Sequence, residues 1–219
     1  MDKKTLAKMI DHTLLKPIAT TKDIEKLCLE AIEYGFYSVC INSCYIPLAK
    51  NFLEGTDIKI CTVIDFPLGA SATSIKVFQV SKTLELGANE FDMVINIGAL
   101  KDRRRDYLAN EIREIVKAAE NHIVKVIIET CYLTDDEKVY ATEIIKESGA
   151  HFVKTSTGFG TGGATVEDIL LLKRVAGEDL KIKASGGIRD FEQALNMIKA
   201  GADRIGASNS VSIVNGIRE

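Results

Sequence analysis

Histidine is scarce in this chain of 219 residues: His12, His122 and His151 are too few and too scattered to build a His-rich metal centre. The five cysteines are odd in number and fall in separate apolar segments, which fits reduced thiols better than a disulfide framework. Cys40 and Cys44 stand four apart, but no CxxC or HxxxH partner accompanies them, so no zinc site is expected. No uncharged stretch supplies the roughly 18 to 20 apolar residues of a membrane span. The longest near the end, 205–217, is interrupted by Ser and Asn. The opening Met1-Asp2-Lys3-Lys4-Thr5 carries no apolar run suited to a signal peptide, so a cytoplasmic protein is expected. Positive charge is not in excess either. With 28 Lys and Arg against 31 Asp and Glu, the net charge is -3, and no field exists to hold a nucleic acid backbone.

What remains is globular. Hydrophobic residues make up 46% of the chain and charged residues 27%, a balance that excludes disorder and demands a buried core. Short β-branched runs at 37–42, 59–65, 91–97, 124–129, 152–155, 182–184 and 204–205 predict strands, and 9–12 supplies an eighth. Between them, apolar residues recur at helical spacing, as in Ile24, Leu27, Cys28 and Ala31 or Leu108, Ile112 and Ile115. Thr134 with Glu137 predicts a capping box, and Thr165 caps a further helix. Gly87, Gly149 and Gly201, and less cleanly Gly35, each close a helix and lead into a strand, at intervals of about 50 to 60 residues. Strand, crossover helix and strand in repetition force parallel pairing, with near-continuous apolar strands such as 124–128 covered on both faces. No linker interrupts residues 1–219. The expectation is α/β: a single (β/α)8 barrel behind a short N-terminal helix, with an open doubly wound sheet as the alternative.

In such barrels the reacting groups occupy the C-terminal ends of strands. Asp11, Asp65, Asp92, Glu129, Lys154 and Lys183 break apolar strands here. Two lysines on successive strands come within several ångströms of each other, and their repulsion lowers one pKa to leave the neutral amine an imine-forming nucleophile requires. The alternative is that each lysine snorkels to solvent or pairs with Asp92 or Glu129. Gly158, Gly160 and Gly163 satisfy GxGxxG, but the next strand ends in Ala184-Ser185, where a dinucleotide site wants an acid. Dinucleotide binding is not expected. Glycine and hydroxyl residues recur in Ser185-Gly186-Gly187 and Gly206-Ala207-Ser208-Asn209, after the last two strands, where barrels bind phosphate. The plainer reading makes them tight turns. Arg103-Arg104-Arg105 reads as a solvated face, His12 as a structural or an acid-base histidine, and Cys40 as a pocket wall or a buried small hydrophobe.

Six motifs, in order, then point to a family. They are Asp11-His12-Thr13-Leu14-Leu15-Lys16-Pro17, Ser38-Val39-Cys40-Ile41-Asn42, Cys61-Thr62-Val63-Ile64-Asp65-Phe66-Pro67-Leu68-Gly69, Phe91-Asp92-Met93-Val94-Ile95-Asn96-Ile97-Gly98, Phe152-Val153-Lys154-Thr155-Ser156-Thr157-Gly158 and Lys183-Ala184-Ser185-Gly186-Gly187-Ile188-Arg189. Together they resemble the deoxyribose-phosphate aldolase family over nearly the whole chain. The resemblance implies a metal-free, cofactor-free class I aldolase that reversibly cleaves 2-deoxy-D-ribose 5-phosphate to acetaldehyde and D-glyceraldehyde 3-phosphate. It assigns the Schiff-base lysine to Lys154, the second lysine to Lys183 and proton transfer to Asp92. Its phosphate loops match Gly158, Gly186, Gly187, Gly206, Ser208 and Asn209, although Asn209 stands where a second hydroxyl residue is frequent; Thr13 and Cys40 join the substrate site. Some relatives carry a tyrosine-bearing tail, whereas this chain stops at Ile217-Arg218-Glu219, so no tail-dependent closure is expected. The partners implied are a phosphosugar and aldehydes, with a homo-oligomer left open. A different phosphosugar lyase or isomerase on the same barrel, or a non-catalytic phosphometabolite-binding protein, remains the alternative.

Chemistry that replaces a Lewis acid with an imine needs no metal. Aldolase activity is therefore expected to survive exhaustive EDTA treatment in full; loss on chelation and recovery with Zn²⁺ or Mn²⁺ would show a metal-dependent reaction.

Overall fold

A computed structural model of the chain describes residues 1–217, so Arg218 and Glu219 of the chain end lie outside the described residues. The strands are β1 (Ile10–Leu14), β2 (Ser38–Ile41), β3 (Lys59–Ile64), β4 (Glu90–Val94), β5 (Ile123–Ile127), β6 (Phe152–Lys154), β7 (Lys181–Ser185) and β8 (Arg204–Ala207). The helices are α1 (Lys3–Ala7), α2 (Thr21–Tyr34), α3 (Ile46–Leu53), α4 (Thr73–Leu86), α5 (Ile97–Lys101), α6 (Arg105–Ala118), α7 (Asp135–Glu147), α8 (Val166–Ala176), α9 (Phe191–Ala200) and α10 (Ser210–Asn215). Each strand pairs in parallel with its neighbour in sequence. β8 closes onto β1, with Ile10 beside Ile205 and Asp11 beside Gly206. That closing pair decides for the barrel against the open sheet.

Local chemistry sets the element ends. Thr134 and Glu137 form the expected capping box at α7, and Thr20 with Asp23 forms another at α2. Gly87 and Gly201 end α4 and α9 in the left-handed region, at φ of 112° and 115°, and the next residues turn into β4 and β8. The strand expected over 91–97 stops at Val94, because the Asn96 side chain accepts the Ala99 N–H at 2.9 Å and starts α5. The short N-terminal helix is α1, capped by Asp2.

Strand alternation sorts the side chains into two environments. Val39, Ile41, Phe91, Met93, Val124, Val126, Val153, Ile182 and Ile205 join the helices in one apolar shell. Inside the barrel stand Asp11, Glu90, Asp92, Lys125, Lys154, Lys183 and Arg204, in contact across six strands. Lys125 interrupts the apolar segment 124–128 and points inward, fully buried. Most (β/α)8 interiors are filled by branched apolar residues; this one is filled by charge, with a small apolar cluster of Leu15, Cys40 and Cys61 beside it. No helix among the described residues is long and apolar enough to cross a membrane.

Candidate active site

Register brings the two expected lysines together, because Lys154 of β6 lies directly beside Lys183 of β7. They do not face each other bare. Asp92 Oδ2 accepts from Lys154 Nζ and from Lys183 Nζ, each at 2.7 Å, so the two nitrogens lie within twice that distance of one another. Oδ1 of the same carboxylate accepts from Lys125 Nζ at 2.8 Å and from the Cys61 thiol at 3.2 Å. Lys125 also pairs with Glu90 at 2.6 Å, and Lys183 donates to Asp11. Asp11 in turn accepts from Arg204 Nη1 at 2.8 Å and from the Ser38 hydroxyl at 2.7 Å. The Arg204 guanidinium lies over the Tyr37 ring, 3.4 Å from its centroid.

Burial penalises every charge in this group, so its partners decide its state. Burial pushes the Asp92 pKa up, but Lys125, Lys154 and Lys183 outweigh it and hold the carboxyl well below its ordinary range. Burial pushes Lys183 down, yet Asp11 and Asp92 raise it above the ordinary lysine value. Lys125 is raised in the same way, chiefly by Asp92 against burial. This revises the expectation of simple repulsion: the carboxylate between the lysines screens it, and Lys183 is held as the ammonium.

A cavity of about 460 Å³ opens above this group. Lys154, Thr13, Gly158, Gly186, Gly187, Gly206, Ser208 and Asn209 line it, as does Phe159. Lys16 and Arg189, which the reading of the glycine loops did not include, add two cations to its wall. Lys183 and Asp92 stand behind Lys154 rather than on the wall. Cys40 is corrected in the same way. It is fully buried against Cys61 and Leu15, the small-hydrophobe alternative, and the cavity does not reach it.

The glycine loops hold their shape by close backbone approach. A Cβ at Gly163 would lie 2.2 Å from the Gly186 carbonyl, and the Ala164 N–H donates to that same oxygen at 3.0 Å. Glu129 pairs with neither catalytic lysine candidate; it accepts from the Thr157 N–H at 3.1 Å and from the Thr157 hydroxyl, tying down the loop after β6. Gly187 meets nothing within 4 Å and faces open space at φ 80°. Gly206 differs, since a Cβ there would lie 2.9 Å from Lys183 Cε, so it makes room for the lysine stem as well as lining the cavity.

Other candidates lie elsewhere. His12 faces outward and binds Glu30 at 2.9 Å and the Ser210 hydroxyl at 3.0 Å, the structural alternative. Arg105 pairs with Glu147, while Arg103 and Arg104 lie over Tyr140 and Tyr107, as on a solvated face. The sequence reading missed Glu90, Lys125 and Arg204. The signal was present, since Val124-Lys125-Val126 sets a lysine into an apolar strand in the same way as Val153-Lys154 does.

Carboxyls with depressed folded-state pKa values stabilise the fold above their unfolded values, and that contribution disappears as pH falls through the folded ones. Asp11 and Asp92 are such groups. Lys125→Met removes a cation from Asp92 and is expected to move the acid-unfolding midpoint, followed by circular dichroism, to higher pH.

Comparison with known proteins follows this geometry. A sequence model described as DeoC/LacD family aldolase matches residues 5–216. The chain is 72% identical over 217 residues to a deoxyribose-phosphate aldolase of Dictyoglomus turgidum, covering 99% of each chain. It is 59% identical over 220 residues to that of Thermococcus kodakarensis, covering 99% of this chain and 98% of the relative. Among solved structures, the deoxyribose phosphate aldolase of Aeropyrum pernix, described as a unique tetramer, superposes with a TM-score of 0.92 at 34% identity, covering 98% of this chain and 91% of that one.

Proposed function

Because the chain belongs to the DeoC/LacD family of aldolases, we propose that it reversibly cleaves 2-deoxy-D-ribose 5-phosphate to acetaldehyde and D-glyceraldehyde 3-phosphate, with Lys154 as the imine-forming nucleophile. One observation carries the assignment of the lysine. Of Lys125, Lys154 and Lys183, which share the Asp92 carboxylate, Lys154 is the one on the cavity wall. Its pairing differs too: Lys125 and Lys183 each have a further carboxylate, Glu90 and Asp11, whereas among the described residues Lys154 pairs with Asp92.

Lys154 Nζ adds to the C1 aldehyde of the open sugar, and loss of water gives a protonated imine. The electrons of the C2–C3 bond flow to that nitrogen as the bond breaks and the 3-hydroxyl gives up its proton, releasing D-glyceraldehyde 3-phosphate. Protonation of the enamine at C2 and hydrolysis of the imine release acetaldehyde. Asp92, 2.7 Å from Lys154, is the group placed to pass these protons, directly or through water, while Lys183 stays cationic and holds the carboxylate in place. The phosphate rests in the loops at Gly158, Gly186, Gly187, Gly206, Ser208 and Asn209, with Thr13 of β1 also on the cavity wall and Lys16 and Arg189 adding attraction. An isomerase or a phosphometabolite-binding protein would share these loops without needing two lysines on one carboxylate. No cofactor enters this reading. A homo-oligomer accords with the tetramer of the Aeropyrum pernix relative, and free thiols, three of them buried, accord with a reducing cytoplasm.

Borohydride reduction in the presence of acetaldehyde is expected to fix one ethyl group on Lys154, located by peptide mass spectrometry. Lys154→Leu should form no adduct, and Lys183→Leu should lose about two to three orders of magnitude in kcat/KM; an adduct on Lys183 in the Lys154→Leu protein would exchange the two roles.

The two kinds of glycine separate kinetically. Gly187→Val places a side chain in the cavity and is expected to raise KM for the phosphorylated sugar while leaving the unphosphorylated one little affected. Gly206→Ala presses on Lys183 and is expected to lower kcat by about tenfold or more for both sugars.

A further inference from the structure

Lys125 has no part in the mechanism above. It stands beside Asp92 in register, one strand over, is fully buried and does not line the cavity. A carboxylate has about four positions at which it accepts hydrogen bonds. Four donors meet Asp92, and they are divided by oxygen. Oδ1 takes Lys125 at 2.8 Å and the Cys61 thiol at 3.2 Å, neither of which lines the cavity. Oδ2 takes Lys183 and Lys154, each at 2.7 Å, and Lys154 is on the cavity wall. Turning the carboxylate over would exchange the two oxygens. Lys125 stands against that turn, because Glu90, two residues earlier on β4, holds the same ammonium at 2.6 Å and Cys61 Sγ lies 3.5 Å from it.

We propose that Lys125 is a positioning residue for carbon–carbon bond cleavage: anchored by Glu90, it holds Oδ1 of Asp92 and so presents Oδ2 to the atoms bound on Lys154. It touches no substrate and acts through Asp92, so the proposal rests on the proton-transfer role given to that carboxylate. Orientation and charge are both at stake. Loss of the donor lets Oδ2 drift from its aim, which slows the step without loosening the phosphate. Loss of the charge makes the carboxylate a stronger base. The groups around Asp92 are Cys61 of β3, Lys125 of β5, Lys154 of β6 and Lys183 of β7, with a sulfur of Cys40 of β2 within 4.8 Å and Asp11 of β1 on the far side of Lys183. With one cation fewer among them, Asp92 takes up a proton at higher pH, and the ionised form that cleavage requires is lost sooner on acidification.

The test compares Lys125→Met, which has neither donor nor charge, with Lys125→Gln, which keeps a donor without the charge. Cleavage of 2-deoxy-D-ribose 5-phosphate is followed against pH, over the range in which circular dichroism shows each protein folded. Lys125→Met is expected to lower the plateau kcat by about a hundredfold with KM within about twofold, and to move the acid limb of the kcat profile up by about one pH unit. Lys125→Gln should move the limb as far and recover about tenfold of the lost kcat. Borohydride with acetaldehyde should still fix an ethyl group on Lys154 in both variants. A folded Lys125→Met protein with wild-type kcat and an unmoved limb overturns the proposal, as does a loss confined to KM. A limb that moves while the plateau kcat stays at the wild-type value leaves a charge effect alone and overturns the positioning. Should Lys125→Met fail to fold, Lys125→Gln is read against the wild type: a raised limb with kcat about tenfold lower is expected, and an unchanged profile overturns the proposal. Absence of the Lys154 adduct from the wild-type protein would instead overturn the mechanism on which the proposal rests.

Discussion

The Asp92 carboxylate takes hydrogen bonds from three lysines and a thiol while fully enclosed, and the organisation of the barrel interior follows from what that contact demands. An unmatched charge in such a place costs several kcal/mol, and removing one partner of a buried pair typically costs about 3 to 5. The requirement therefore spreads outward. Lys125 needs Glu90, Lys183 needs Asp11, and Asp11 needs Arg204 and Ser38. Each of these groups occupies an inward position of its strand, and the apolar residues between them are left to hold the helices. One shared carboxylate thus accounts for why the centre of the barrel is polar and why its hydrophobic shell lies outside the strands.

The same contact distinguishes groups that look alike in sequence. Lys125, Lys154 and Lys183 are strand lysines with the same acid, but Lys125 and Lys183 each have further carboxylates, and Lys154 has the cavity. Position in the network, rather than residue type, separates the proposed nucleophile from its counter-ions. Gly206 belongs to this arrangement too, since the stem of Lys183 occupies the space a side chain would need.

Much of this was legible in the chain. Alternating β-branched runs, helical spacing and glycines at helix ends lead to the βα repeat because each depends on neighbours within a few residues. The juxtaposition of Lys154 and Lys183 was legible for a related reason, as parallel strands in consecutive order bring equivalent positions together. Closure was expected from eight strands in βα repetition, and the pairing of β1 with β8, nearly the whole chain apart, bears it out. Lys125 was hidden by its apolar neighbours, which read as a strand covered on both faces. The task of Glu129 was hidden by distance, since its partner Thr157 follows 28 residues later. Cys40 was placed on the cavity wall because it lies near the C-terminal end of a strand, whereas Leu15 covers it.

An ionic interior inside an apolar shell also responds to heat in a way that a hydrocarbon core does not. Hydration of charged groups becomes less favourable as temperature rises, so the penalty for keeping them dry shrinks, while hydrophobic stabilisation per unit area levels off. For Asp11, Glu90, Asp92, Lys125, Lys183 and Arg204, warming therefore eases the constraint that is hardest to meet at low temperature. The centre of this barrel, which holds the groups proposed to react, is the region whose relative stability gains from a rise in temperature.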